Sequence, residues 1–266
     1  MFHLVSVSPW PLLCSFSVFF FLLGNLNLLI LSEINLLMMS IIFLILVLFQ
    51  WWRDVVREGS YQGVHSTGVV DGLKFGMLLF IISELMFFVS FFWTYFHMFL
   101  SPSMEVGLVC PAYMIVMFNP YNIPLLNTLI LLFSGMTITW CHHCLMNNNM
   151  FKCVISMGVT IMLGILFSYF QYLEYYESYF SISDSVYGSI FFMATGFHGL
   201  HVLVGTFFIF VNFVRVNFYH FSMYHHFGFE AASWYWHFVD VVWLFLYVFI
   251  YWLSYYLYNK MNMFNF

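Results

Sequence analysis

DGLKFGMLLFIISELMFFVSFFWTYFHM, from Asp71 to Met98, decides the reading of this chain. As a helix rising about 1.5 Å per residue it extends roughly 42 Å. That exceeds the hydrocarbon core of a bilayer, roughly 30 Å. Glu84 stands near its middle, and the positions three, four and seven residues away are Met77, Phe80, Ile81, Phe87, Phe88 and Phe91. Lys74, at the entrance, is the nearest basic residue in the segment. A carboxylate at such depth costs several kcal/mol unless it is neutral, paired or wet. Other segments are therefore expected to supply a partner for Glu84.

Composition points the same way. Of 266 residues, 64% are hydrophobic and 6% charged, with a mean hydropathy of +0.93. Soluble domains carry about 25% charged residues, so the chain reads as an integral membrane protein. The net charge of −5 comes without a basic cluster, which gives no case for nucleic acid. The first apolar run lacks a cationic lead-in and reads as a retained span rather than a signal peptide. The five cysteines, Cys14, Cys110, Cys141, Cys144 and Cys153, are scattered and suggest no disulfide framework.

Apolar runs place seven helices at about 11–31, 36–56, 71–98, 124–146, 150–172, 186–214 and 231–257, in one membrane domain covering 1–266. Pro11 suits a first helical turn. Seven spans put the termini on opposite sides. Arg53, Arg57, Lys74, Lys152 and Arg215 then share one face and Lys260 stands alone on the other. The positive-inside rule makes the first face the matrix or cytoplasmic one, with the N-terminus on it. Glu33, Glu105, Glu174, Glu177 and Asp184 are expected on the opposite face.

His198 and His201, three apart in segment six, are the expected partners of Glu84, as an uncharged, hydrogen-bonded carboxyl. Gly196, Gly199 and Gly205 would let that helix approach others closely. Glu84 has two open readings, a proton-active group or a structural one. Asp240 follows His237 by three residues, a spacing that fits a hydrogen bond on one helix face. Cys141-His142-His143-Cys144 looks like half a zinc site, yet no second half follows. The doublets His142-His143 and His225-His226 point about 100° apart on a helix and chelate poorly, so no metal is assigned. Trp51, Trp52, Arg57, Glu58, His65, Arg215 and His220 gather at one membrane face. They suit phospholipid headgroups, Arg for phosphate and Glu for an ethanolamine amine, or else form a solvated rim. Segment seven has no lysine for a retinal Schiff base, and no inverted repeat suggests a transporter.

The chain resembles the family of cytochrome c oxidase subunit III, part of the haem–copper terminal oxidase. The resemblance rests on SPWPL (Ser8–Leu12), QWWRDVVRE (Gln50–Glu58), FIISELMFF (Phe80–Phe88), PLLNT (Pro124–Thr128), TWCHH (Thr139–His143), ATGFHGLHV (Ala194–Val202) and HHFGFEAASWYWHFVDVVWLFLYV (His225–Val248). Cys141 and Cys144 depart from it, standing where small residues are expected, and the loop from Val106 to Phe118 is unusual. The resemblance implies an all-α, seven-helix membrane subunit, split into a two-helix and a five-helix bundle with a V-shaped lipid cleft. It implies a non-catalytic role: haem a and copper belong to subunits I and II, while this chain binds structural phospholipid and supports proton uptake by subunit I. Phosphatidylethanolamine, phosphatidylglycerol or cardiolipin would meet Arg57, Glu58, His65, Arg215 and His220. Further implied partners are small accessory subunits and a respiratory supercomplex. The location would be the mitochondrial inner membrane, with the N-terminus in the matrix and the C-terminus in the intermembrane space. The rival is a stand-alone proton or metal-ion carrier using Glu84, His198 and His201.

Overall fold

The computed structural model describes residues 7–102, 104, 110, 112 and 115–264, with side chains to residue 260. Among these the chain is helical and contains no strand. Glu105 and much of the 106–118 loop lie outside the described residues. Among the described residues, seven helices are long and apolar enough to cross a membrane.

The chain divides into two compact units, 1–73 and 74–266. In the first, α1 (Trp10–Leu31) packs on α2 (Asn35–Ser60). The contact is close because Gly24 carries no side chain: a Cβ there would stand 2.8 Å from the Leu37 Cα. Ser17 and Ser40 are buried, and their hydroxyls donate to the Cys14 and Leu37 carbonyls at 2.8 and 2.7 Å. Small residues let helix backbones meet in lipid, where no hydrophobic force drives them together. The Trp10 indole donates to Asp54 at 2.6 Å, tying the start of α1 to the end of α2.

Helix α3 (Thr67–Leu100) begins four residues before the apolar run, and Glu84 lies at its midpoint. From Lys74 onward it belongs to the second unit. There α4 (Ile123–Met146), α5 (Met150–Tyr176), α6 (Ser185–Asn217) and α7 (Phe227–Leu246) pack in sequence. Trp236 of α7 is the central knob. Its indole is fully buried and donates to the Ser134 hydroxyl of α4 at 2.8 Å. Gly164 of α5 and Gly205 of α6 make room for it, since a Cβ at either would stand 3.0 Å from its ring. Gly199, by contrast, faces open space, and Gly196 has only the Tyr175 hydroxyl within reach.

After Leu246 the helix widens into a π-helical stretch, Tyr247–Leu253, before resuming as α8 (Ser254–Phe264). Such widening frees backbone carbonyls. Two are met by tyrosines of other helices: Tyr95 donates to the Phe249 carbonyl at 2.9 Å and Tyr187 to that of Ile250 at 3.0 Å. In a membrane an unmet carbonyl has no water to turn to. The outer surface is apolar, with Leu29, Phe49, Trp93 and Phe207 all exposed, as a chain solvated by lipid requires.

Candidate functional site

The Glu84 carboxyl of α3 meets His201 of α6, Oε2 to Nε2, at 2.9 Å. The other ring nitrogen, Nδ1, lies 2.6 Å from the Phe197 carbonyl. A carbonyl only accepts, so Nδ1 carries a hydrogen and donates. A neutral ring then offers Nε2 a lone pair alone, and the 2.9 Å contact requires a proton between Glu84 and His201. The pair is a neutral acid on an imidazole or a carboxylate on an imidazolium. Phe88 packs its edge on the His201 ring at 5.1 Å and Tyr235 stacks at 6.2 Å. The Glu84 side chain stays 27% exposed, half-buried rather than sealed.

His198 does not join the pair. Its Nε2 donates to the Val239 carbonyl of α7 at 3.2 Å, between the rings of Phe167 and Trp243. Three residues turn a helix by about 300°, leaving about 60° between the side chains. That is enough to aim His201 at α3 and His198 into the α7 packing. His237 and Asp240 stand 3.9 Å apart, too far for a hydrogen bond, because Asp240 Oδ2 nestles over Gly135. Cys141 faces Cys153 of α5, Sγ to Sγ at 3.2 Å, rather than closing a site with Cys144.

The rim residues fall in both units, and each set is described by itself. In the first, Trp52 and Arg57 are exposed, Trp51 and Glu58 less so, and the His65 ring lies against Gly59. In the second, the Arg215 guanidinium stacks on Phe221 at 4.3 Å and lies beside Gly228, where a side chain would displace it. Burial, and then the Arg215 cation, hold the His220 imidazole below its ordinary range.

Glu174, expected in the acidic link on the outer face, lies within α5, which runs on to Tyr176 and buries it completely. Neither carboxyl oxygen makes a well-directed hydrogen bond, nor does the amide of the neighbouring Gln171. The Tyr251 hydroxyl, on the π-helical stretch, interacts with the carboxyl. The signal was available: Cys153, Met157, Thr160, Gly164, Phe167, Gln171 and Glu174 follow one another at alternating steps of four and three, the spacing of a helix seam.

A tight α4–α7 bundle, an apolar outer surface and a carboxyl–imidazole pair half-way along a long span define an all-helical, multi-pass membrane protein. Comparison with known proteins narrows this. Residues 1–255 match the family model described as cytochrome c oxidase subunit III. The chain is 55% identical to cytochrome c oxidase subunit 3 of Drosophila melanogaster over 245 residues, 92% of this chain and 94% of that one. Identity is 51% over 245 residues with the Rhipicephalus sanguineus protein of that name (92% and 95%) and 52% over 247 residues with that of Prototheca wickerhamii (92% and 94%). The chain belongs to the cytochrome c oxidase subunit III family.

Proposed function

We propose that within the oxidase this chain is a non-redox subunit. It stabilises the complex, binds phospholipid and supports proton uptake by subunit I, while haem a and copper reside in subunits I and II. The Glu84–His201 pair carries the reading: a partly exposed carboxyl at the middle of a span, sharing a proton with a single imidazole. Such a pair holds two helices together and stores a proton, but its second nitrogen is committed to a backbone carbonyl, which leaves no onward relay. His198, turned into α7, does not extend it, which tells against the stand-alone carrier.

Phospholipid is proposed at the basic rim. Trp51, Trp52, Arg57, Glu58 and His65 would receive headgroups on the first unit, and Arg215 and His220 on the second. Exposed Arg57 and the Arg215 guanidinium, held flat on Phe221, support this, because a guanidinium matches a phosphate bidentately. Phosphatidylethanolamine, phosphatidylglycerol or cardiolipin would fit. We place the chain in the mitochondrial inner membrane, N-terminus in the matrix and C-terminus in the intermembrane space. Subunits I and II, accessory subunits and a supercomplex are its proposed partners.

The test is oxidase turnover with and without this chain. Depleted complex should keep its initial rate of oxygen reduction, lose activity over successive turnovers, and retain less phospholipid by mass spectrometry. Immediate loss of all oxygen reduction, with the haem spectrum intact, would contradict the non-redox role.

A further inference from the structure

Three side chains that the oxidase role does not use converge within the second unit. His142 lies near the end of α4, His226 caps the start of α7, and Glu230 is one turn further on. Nε2 of His142 is 3.3 Å from Nε2 of His226, which is itself 3.3 Å from Oε1 of Glu230. All three atoms lie within 4.8 Å of one another. The cluster takes one histidine from each sequence doublet, which is why neither doublet read as a chelator.

His226 is buried, and its Nδ1 stands 3.0 Å from the Ser222 carbonyl. That carbonyl accepts, so Nδ1 donates, and Nε2 is the ring nitrogen turned toward the Glu230 oxygen and the His142 ring. The distances suit a metal ion. A direct N–H···O bond settles near about 2.9–3.0 Å, whereas two ligands each about 2.0–2.1 Å from a tetrahedral zinc ion stand about 3.3–3.4 Å apart. The Nδ1–H···O=C bond of His226 is the outer anchor that metal-binding histidines use to fix their orientation. Two imidazoles and a carboxylate select an ion of the zinc class over magnesium or calcium, which take oxygen ligands.

We propose that His142, His226 and Glu230 form a binding site for a divalent transition-metal ion of the zinc class, with a fourth position open to water. Lys74 Nζ lies 2.9 Å from Oε2 of the same carboxylate. It is the site's built-in competitor: it neutralises Glu230 when no metal is bound and loses that ion pair when one is. Occupancy would clip α4 to the link between α6 and α7.

The test uses assembled oxidase and zinc ion, titrated against a chromophoric chelator, in the parent and in His142→Gln, Glu230→Gln and Lys74→Met. Retention of the oxidase spectrum checks assembly, and half-exposed His142 is the variant least exposed to misfolding. Losing an outer-shell partner alone costs about 10–100-fold in affinity, so His142→Gln and Glu230→Gln should each lose at least that at one zinc equivalent. Lys74→Met should bind about two- to fivefold tighter, the size of a surface ion pair that zinc no longer displaces. Zinc absorption-edge spectra of the parent should show nitrogen and oxygen ligands. Equal zinc uptake by all four proteins, weaker binding in Lys74→Met, or sulfur ligation would overturn the proposal.

Discussion

Truncating Glu84 separates its structural role from an obligatory role in catalysis. Nδ1 of His201 is committed to the Phe197 carbonyl, so Nε2 depends on Glu84 alone. Glu84→Gln keeps the shape and supplies an N–H donor to that lone pair, and should cost under about 1 kcal/mol. Glu84→Ala strands the imidazole nitrogen in a largely buried place, a cost of about 1–3 kcal/mol. Loss of the two methylenes adds little more, because the side chain is only partly buried and no hydrophobic force drives helices together in lipid. At tenfold per about 1.4 kcal/mol, the alanine variant should shed this chain about 5–150 times more readily than the parent. The assay heats detergent-solubilised oxidase in steps, then measures chain retained on a gel and oxygen consumed. Glu84→Gln should match the parent in retention and keep most oxygen reduction, and a lipid-soluble carbodiimide should label the parent alone. If Glu84→Gln abolished oxygen reduction in fully assembled enzyme, the carboxyl would be an obligatory proton carrier and the structural reading would fail.

Other outcomes follow from the packing. Gly164→Ala would drive a methyl into Thr206 and against Trp236, so retention should fall by the equivalent of about 1–3 kcal/mol. Tyr95→Phe and Tyr187→Phe each uncap a carbonyl of the π-helical stretch, for about 1 kcal/mol apiece. Because those carbonyls are adjacent, the double variant should depart from additivity in a thermal-retention cycle. Glu174→Gln should assemble normally, while Glu174→Arg should leave no chain in the complex, since it places an unpaired cation in a sealed site. Impermeant labelling of cysteines placed at Arg57 and Arg215 should modify both from the same side of the membrane, and modification from opposite sides would refute the proposed orientation.

Much of this architecture was legible in apolar runs, because a span needs about 20 apolar residues and the chain offers little else. Helix ends were less legible, since tertiary partners set them. Helix α7 starts at Phe227 rather than near residue 231, with Glu230 in its first turn held by Lys74 and His226. The π-helical stretch YVFIYWL contains neither Gly nor Pro to announce it, and the Tyr95 hydroxyl that accommodates it lies 154 residues away from Phe249. The site was half legible. Glu84 announces itself as the lone carboxyl of an apolar span, but choosing His201 over His198 needed the true rotation of α6. Glu174 was hidden by its company: LEYYES reads as a polar link until the seam of α5 is followed to its end.

The central claim is that this chain serves the oxidase without a redox centre of its own. The direct measurement is a pull-down of the chain from native membranes, with a reduced-minus-oxidised visible spectrum and copper content taken before and after the chain is stripped from its partners. The account predicts haem a and copper in the captured complex, all of both remaining with the partner subunits after stripping, and a colourless chain. A captured chain that runs alone, or a stripped chain that carries haem, would contradict it.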